Sequence, residues 1–95
     1  MSEVNKLVRV VVKEEAVEAI KVEMLKAQEA TRAEAGCIRY QFFQDKKTTT
    51  MFYVQECYAN KEAFLEHANS THMTDYLAAT KGMIESVNMH SVDPI

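Results

Sequence analysis

The feature that most constrains this chain is a change of hydrophobic period within its first third. From Val4 to Lys13 the side chains alternate, with Val8, Val10 and Val12 on one side and Leu7, Arg9 and Val11 on the other. A period of two belongs to a β-strand, and apolar residues on both sides imply that both faces are at least partly covered. From Glu15 to Ala35 the spacing widens: Val17, Ile20, Met24, Ala27 and Thr31 form one stripe with Glu and Lys opposite, as a helix lying on a core requires. Gly36 follows, and a glycine just past the last periodic residue reads as a left-handed helix terminator. Gly82 stands in the same relation to a later helical stretch, and these are the only two glycines. A glycine-rich phosphate loop therefore cannot be built.

The period then returns to two. Cys37 to Gln44 and Met51 to Tyr58 read as strands joined by the polar run Asp45 to Thr50, so an antiparallel hairpin is expected. A symmetric loop sets Ile38, Tyr40 and Phe42 against Phe52, Val54, Glu56 and Tyr58 on one face, aromatic and apolar except for Glu56. The same register brings Cys37 near Cys57 on the other face, where a disulfide is conceivable but not expected of a reducing compartment. Asn60 can cap a helix to Ala68, Asn69 or Ser70 a second one to Lys81, and Met83 to Val92 supplies a last strand.

Strand, helix, strand, strand, helix pair, strand is the βαββαβ order of a ferredoxin-like α+β fold, an antiparallel sheet with helices on one face. The second face then carries Val11, Phe43, Met51 and Tyr53, which a second copy of the chain would cover most simply. Ninety-five residues suit one domain spanning 1–95. With 47% hydrophobic and 26% charged residues and a net charge of −3, the composition is that of a soluble globular protein. No basic cluster offers nucleic acid a phosphate-binding face. No apolar run approaches membrane-spanning length, and no secretory leader is evident. A cytoplasmic location is expected, which also discounts the Asn69-Ser70-Thr71 glycosylation sequon. Two distant cysteines make no paired zinc motif.

Chemistry concentrates in FLEHANSTHM, residues 64–73. Helical spacing turns Phe64, His67 and Ala68 inward together, and Met73, Tyr76, Leu77 and Thr80 form the inward stripe of the next helix, with His72 in its first turn. On one helix a five-residue separation rotates the second side chain by about 140°, and Asn-Ser-Thr breaks the helix. The two histidines are thus a poor chelating pair, and no metal is expected there. They can still converge on a cavity under the sheet, where Glu56 is the candidate third polar group and Tyr40, Phe42, Phe52 and Tyr76 are aromatic walls. Burial would raise the pKa of Glu56 and a nearby imidazolium would lower it, a competition found where acid–base work is done. His90, without identifiable partners, reads as structural.

The segments EAGCIRYQFFQD and MFYVQECYANKEAFLEHANSTHMTDYLAATKG resemble the antibiotic biosynthesis monooxygenase (ABM) domain family. The resemblance covers Val4 to about Val92 and is carried by Glu34 to Cys37, by Glu56 at its strand end, and by the H-x4-H run of His67 and His72. It implies a homodimeric α+β barrel, each subunit holding a small-molecule cavity between sheet and helices. It also implies several activities: oxidation of quinols or aromatic rings by O₂ without metal or flavin, isomerisation of a phosphorylated autoinducer-type sugar derivative, or haem degradation. Haem degradation fits poorly, because the chain has no tryptophan and the position of the iron-ligating histidine falls near Leu77.

The reading favoured at this level is a cofactor-independent oxygenase, an oxidoreductase. His67 or His72 removes a phenol proton, Glu56 orients or charges the imidazole, and Tyr40, Phe42, Phe52, Phe64 and Tyr76 line the substrate site. An isomerase would need a phosphate site from Lys26, Arg32 or Arg39. A non-catalytic dimeric binding or stress-related protein is the third class.

Overall fold

In the computed structural model, which describes residues 2–95, the alternating valines form β1 (Val4–Val12). A 3₁₀ turn at Glu14–Ala16 leads into α1 (Val17–Arg32). Next come β2 (Cys37–Gln44), β3 (Met51–Tyr58), α2 (Lys61–Ala68), α3 (Thr71–Thr80) and β4 (Ile84–Val92). The four strands are antiparallel in the order β2-β3-β1-β4, with β1 paired to β3 on one side and to β4 on the other. The three helices cover one face. This is the ferredoxin-like arrangement expected from the alternation of periods.

The core lies between that face and the helices. Val8, Val10 and Val12 of β1 meet Ile20, Met24 and Ala27 of α1, and Tyr40, Phe52, Val54 and Tyr58 extend the layer across the hairpin. Side chains of α1 also bond the outer edge of β2. Gln28 Oε1 accepts from the Phe42 backbone N–H at 2.8 Å, and Arg32 Nε donates to the Tyr40 carbonyl at 2.9 Å. Backbone groups that an edge strand would otherwise leave open are satisfied by the helix.

Several details depart from the sequence expectation. α1 stops at Arg32, before Ala35, and Gly36 does not have positive φ; among the described residues only Gly82 does, at 92°. Gly36 is needed for space, because a Cβ there would lie 2.3 Å from the Ala63 Cβ. The hairpin register shifts between Cys37 and Arg39. The shift turns Ile38 outward, 53% exposed, and sets Tyr40 opposite Glu56 and Phe42 opposite Val54. Cys57 accordingly faces Asn5 and Arg39, while Cys37 faces Tyr58. Ala68 and Leu77 are exposed rather than inward; only Ala63 and His67 of α2, and Tyr76 and Thr80 of α3, reach full burial.

β4 is the least covered strand. Val87 and Met89 share the helix-side face with Val10 and Val8, their register partners. They are nevertheless about half exposed, at 52% and 53%, because the helices sit over the other three strands. On the opposite face Leu7, Phe43 and Tyr53 are exposed. No helix among the described residues is long and apolar enough to cross a membrane.

Candidate active site

The corner between α2 and α3 is built by two caps. Asn60 Oδ1 accepts from the Ala63 backbone N–H at 2.8 Å and starts α2, and Ser70 Oγ accepts from Met73 N–H and starts α3. Ser70 also ties the end of α2, its hydroxyl donating to the His67 carbonyl at 2.7 Å. Asn69 and Ser70 are therefore the whole connection between the helices. A continuous helix would splay His67 and His72 apart, whereas this corner brings their ring centroids to 6.1 Å.

The carboxylate between them is Glu34, in the loop after α1. Its Oε2 lies 3.0 Å from His67 Nδ1 and 2.6 Å from His72 Nε2. Gly36 explains how a loop residue gets there: without a Cβ it lets Ala63 of α2 press onto the loop, and the Gly36 carbonyl accepts from Ala59 N–H at 2.9 Å. One oxygen accepting from two imidazoles fixes the rings in a complementary way. In the neutral tautomers His67 then keeps its lone pair on Nε2 and His72 on Nδ1.

Glu56 is buried on the same side of the sheet but has a different partner. It accepts from the Tyr58 hydroxyl, Oε1 to Oη 2.6 Å. Burial pushes its pKa up, against smaller downward pulls from the Tyr58 hydrogen bond and from His67. Of the two roles expected of Glu56, orienting or charging the imidazole, orientation by hydrogen bonds falls instead to Glu34, while Glu56 acts on His67 through its charge. In the sequence Glu34 stood out only as the first residue of the Glu34 to Cys37 motif that carries the family resemblance, with no role assigned to its carboxylate. The signal that could have found it is the close approach Gly36 permits, which is a tertiary contact.

The aromatic residues divide by location. Tyr58 and Tyr40 flank His67, with centroids at 5.0 and 5.4 Å. Phe64 packs edge-on against Tyr58 at 5.4 Å, and Phe42 packs against Tyr76 at 6.2 Å. Phe52 lies at the far end of β3, opposite Val10 and Gln44, in the core beneath α1. Burial pushes the hydroxyls of Tyr40 and Tyr58 up, and that of Tyr76 up to about 12. They remain protonated donors near neutrality, so the histidines are the groups suited to take a proton.

Two concavities matter. One of about 230 Å³ opens between α1 and α3 and is lined by His72, Tyr76, Asp75, Lys26 and Glu23 among others. A larger one of about 640 Å³ lies on the bare face of the sheet, lined by Leu7, Arg9, Phe43, Tyr53, Asn88 and His90 among others. The smaller one meets the His–Glu–His cluster through His72, and the larger is on the other side of the sheet from it. Only the smaller one has in its wall a histidine hydrogen-bonded to a carboxylate, the arrangement acid–base chemistry requires.

The sequence profile of the family described as antibiotic biosynthesis monooxygenase matches residues 4–79, from β1 to the end of α3. The chain belongs to that family. Solved structures of ABM-like architecture superpose closely. A Pseudomonas aeruginosa protein gives a TM-score of 0.94 at 21% identity, covering 100% of this chain and 96% of its own. A Mycobacterium tuberculosis protein gives 0.90 at 24% identity, covering 99% and 96%. A structure described as an antibiotic biosynthesis monooxygenase gives 0.91 at 20% identity, covering 97% and 98%. At such identities the likeness shows the ABM fold and not the substrate. No functionally curated protein matches the sequence.

Proposed function

We propose that this ABM-family chain is a cofactor-independent monooxygenase that oxidises a small quinol or related aromatic substrate with O₂. The observation carrying the reading is the single Glu34 oxygen shared by His67 Nδ1 and His72 Nε2, at 3.0 and 2.6 Å, beside a cavity that His72 lines. His72 is partly exposed and His67 is buried. His72 is therefore the base that meets substrate, its Nδ1 taking the phenol proton, and Glu34 holds the imidazole and balances the imidazolium. His67, packed between Tyr40 and Tyr58, fixes Glu34 from the other side.

Deprotonation yields an electron-rich phenolate that can reduce O₂ by one electron. Radical recombination and loss of water then put one oxygen atom into the ring and release the other as water. For hydroquinone the balanced outcome is hydroxybenzoquinone plus water, with all electrons coming from the substrate. Small size suits the cavity. A neutral substrate suits it too: Lys26 is held by Glu23 at 3.3 Å, and Glu23 and Asp75 both line the cavity, so a phosphorylated substrate of the isomerase type would face two carboxylates.

Oxygen consumption with simple hydroquinones, in protein stripped of metals by a chelator, tests the reading. The expected loss of rate in His72→Ala is about 10²- to 10⁴-fold, the range for removing a general base. Equal rates in wild type, His67→Ala and His72→Ala would exclude the histidines from the mechanism, and turnover of substrate under argon would favour the isomerase.

The bare face of the sheet supports a homodimer as the working unit. Leu7, Phe43 and Tyr53 are exposed there around a concave apolar surface, and a two-fold related copy offers a matching surface to cover it. Analytical ultracentrifugation should give a dimer that Tyr53→Glu shifts toward monomer; a wild-type monomer at tens of micromolar would remove this part of the proposal.

A further inference from the structure

The geometry points to Glu34, His67 and His72 forming a binding site for one divalent transition-metal ion of the zinc or ferrous type. This goes beyond the metal-free oxidation proposed above, and binding is read separately from turnover.

The three ligand atoms, Glu34 Oε2, His67 Nδ1 and His72 Nε2, all lie within 4.8 Å of one another. The carboxylate oxygen is already 3.0 and 2.6 Å from the two ring nitrogens. Ligands held at about 2.0–2.2 Å from a tetrahedral or octahedral ion stand roughly 3–3.5 Å apart, so coordination needs movements within the freedom of side-chain torsions. The ion would replace the two hydrogen bonds to Glu34, leaving neither the carboxylate nor the imidazoles unpartnered.

The donor set narrows the ion. Two imidazoles and one carboxylate suit Zn²⁺, Fe²⁺ and Co²⁺, whereas Mg²⁺ and Ca²⁺ prefer oxygen throughout. The surroundings narrow the kind of site. His67 is buried, its side chain 4% exposed, while those of Glu34 and His72 are 19% and 27% exposed. Three protein ligands with one side open leave a position for water or a small ligand, unlike the closed four-ligand set of a structural zinc. The ligands also rest on three separate supports: the loop pressed against Ala63 through Gly36, the end of α2, and the first turn of α3 capped by Ser70. Tyr40 and Tyr58 hold the plane of the His67 ring.

A cation there takes His67 Nδ1 and His72 Nε2, the nitrogens that bond Glu34 in the metal-free mechanism, and so removes the contact that holds the His72 imidazole as base. Chelator-stripped protein is thus the form for the oxygen-consumption assay, and metal-titrated protein the form for this one. Either proposal can fail without the other.

The test is titration of the stripped protein with Zn²⁺ by calorimetry and with Co²⁺ by absorption. One equivalent is expected to bind, with a Co²⁺ spectrum lacking thiolate charge-transfer bands. Glu34→Gln and His72→Ala should each weaken binding at least tenfold, and His90→Ala should leave it unchanged. Circular dichroism melting checks that each variant folds. Absence of Zn²⁺ binding by wild type up to millimolar concentration would overturn the proposal. So would a thiolate band assigning the ion to Cys37 or Cys57, or unaltered affinity in both ligand variants.

Discussion

Glu34 and Glu56 both act on His67, one from the loop after α1 by a hydrogen bond and one from β3 through its charge, and their surroundings give them different roles. Glu34 shares one oxygen between two imidazoles at a partly open corner. Glu56 is buried against one phenol, its pKa raised by burial, and borders a separate concavity of about 280 Å³ with Lys6, Arg39 and Asp93. A carboxylate joined to imidazoles beside a cavity can support proton transfer. One joined to a tyrosine hydroxyl in the core mainly organises neighbouring side chains. What separates them is partner chemistry and access, rather than residue type or distance from the sheet.

The contrast is broken most directly by exchanging each carboxylate for its amide. Glu34→Gln should lower the proposed oxygen consumption by about 10²-fold or more, the lower end of what a positioned acid–base group contributes. Glu56→Gln, which keeps an acceptor for Tyr58, should change it far less. Comparable losses in the two variants would show that Glu56 is as directly engaged as Glu34.

The corner itself can be broken without touching a titratable group. Gly36→Ala forces a Cβ to within 2.3 Å of the Ala63 Cβ, and neither methyl can swing aside. A loss of about 1–3 kcal/mol in denaturant unfolding is expected, as for other overpacked sites. Adding Ala63→Gly should restore part of it, which separates this clash from a general intolerance of alanine in the loop. A smaller effect, about 1 kcal/mol, is expected from Ser70→Ala, which removes the α3 cap together with the hydroxyl bond to the His67 carbonyl.

The smallest effect sharpens the other half of the comparison. Because burial raises the pKa of Glu56 above the ordinary value of 4.5, ionising it costs the folded state more than the unfolded one. Its contribution to stability is therefore full below about 4.5 and is lost as pH rises through the raised folded value. Glu56→Gln does not titrate, so its stability relative to wild type should climb with pH over that window. A relative stability that falls across the same range would mean that Tyr58 and His67 outweigh burial.

Much of the architecture was legible in periodicity. Val8, Val10 and Val12 on one side of a strand, and Ile20, Met24, Ala27 and Thr31 on one side of a helix, are buried as their spacing requires. Asn60 and Ser70 cap the helices as their short polar side chains allow. The hairpin was legible as a hairpin, but its register was not: the shift between Cys37 and Arg39 moves Ile38 from the core to solvent, and a local irregularity of backbone pairing leaves no mark on side-chain alternation. Leu77 misled for a related reason, since helical spacing defines a face but not how much of that face a neighbour covers.

The candidate site divides the same way. The sequence by itself determined that two histidines would flank a helix break, one of them inward, and that a carboxylate and aromatic rings would stand on the sheet face beneath. Those facts follow from local periodicity and capping, which act over a few residues. Only the tertiary structure decided which carboxylate joins the histidines. Glu34 and His72 are separated by 38 positions in the chain, and they meet because Gly36 leaves room for Ala63 and the Asn69-Ser70 corner turns α3 back toward the loop. Steric fit between distant segments sets that contact, and no local pattern encodes it.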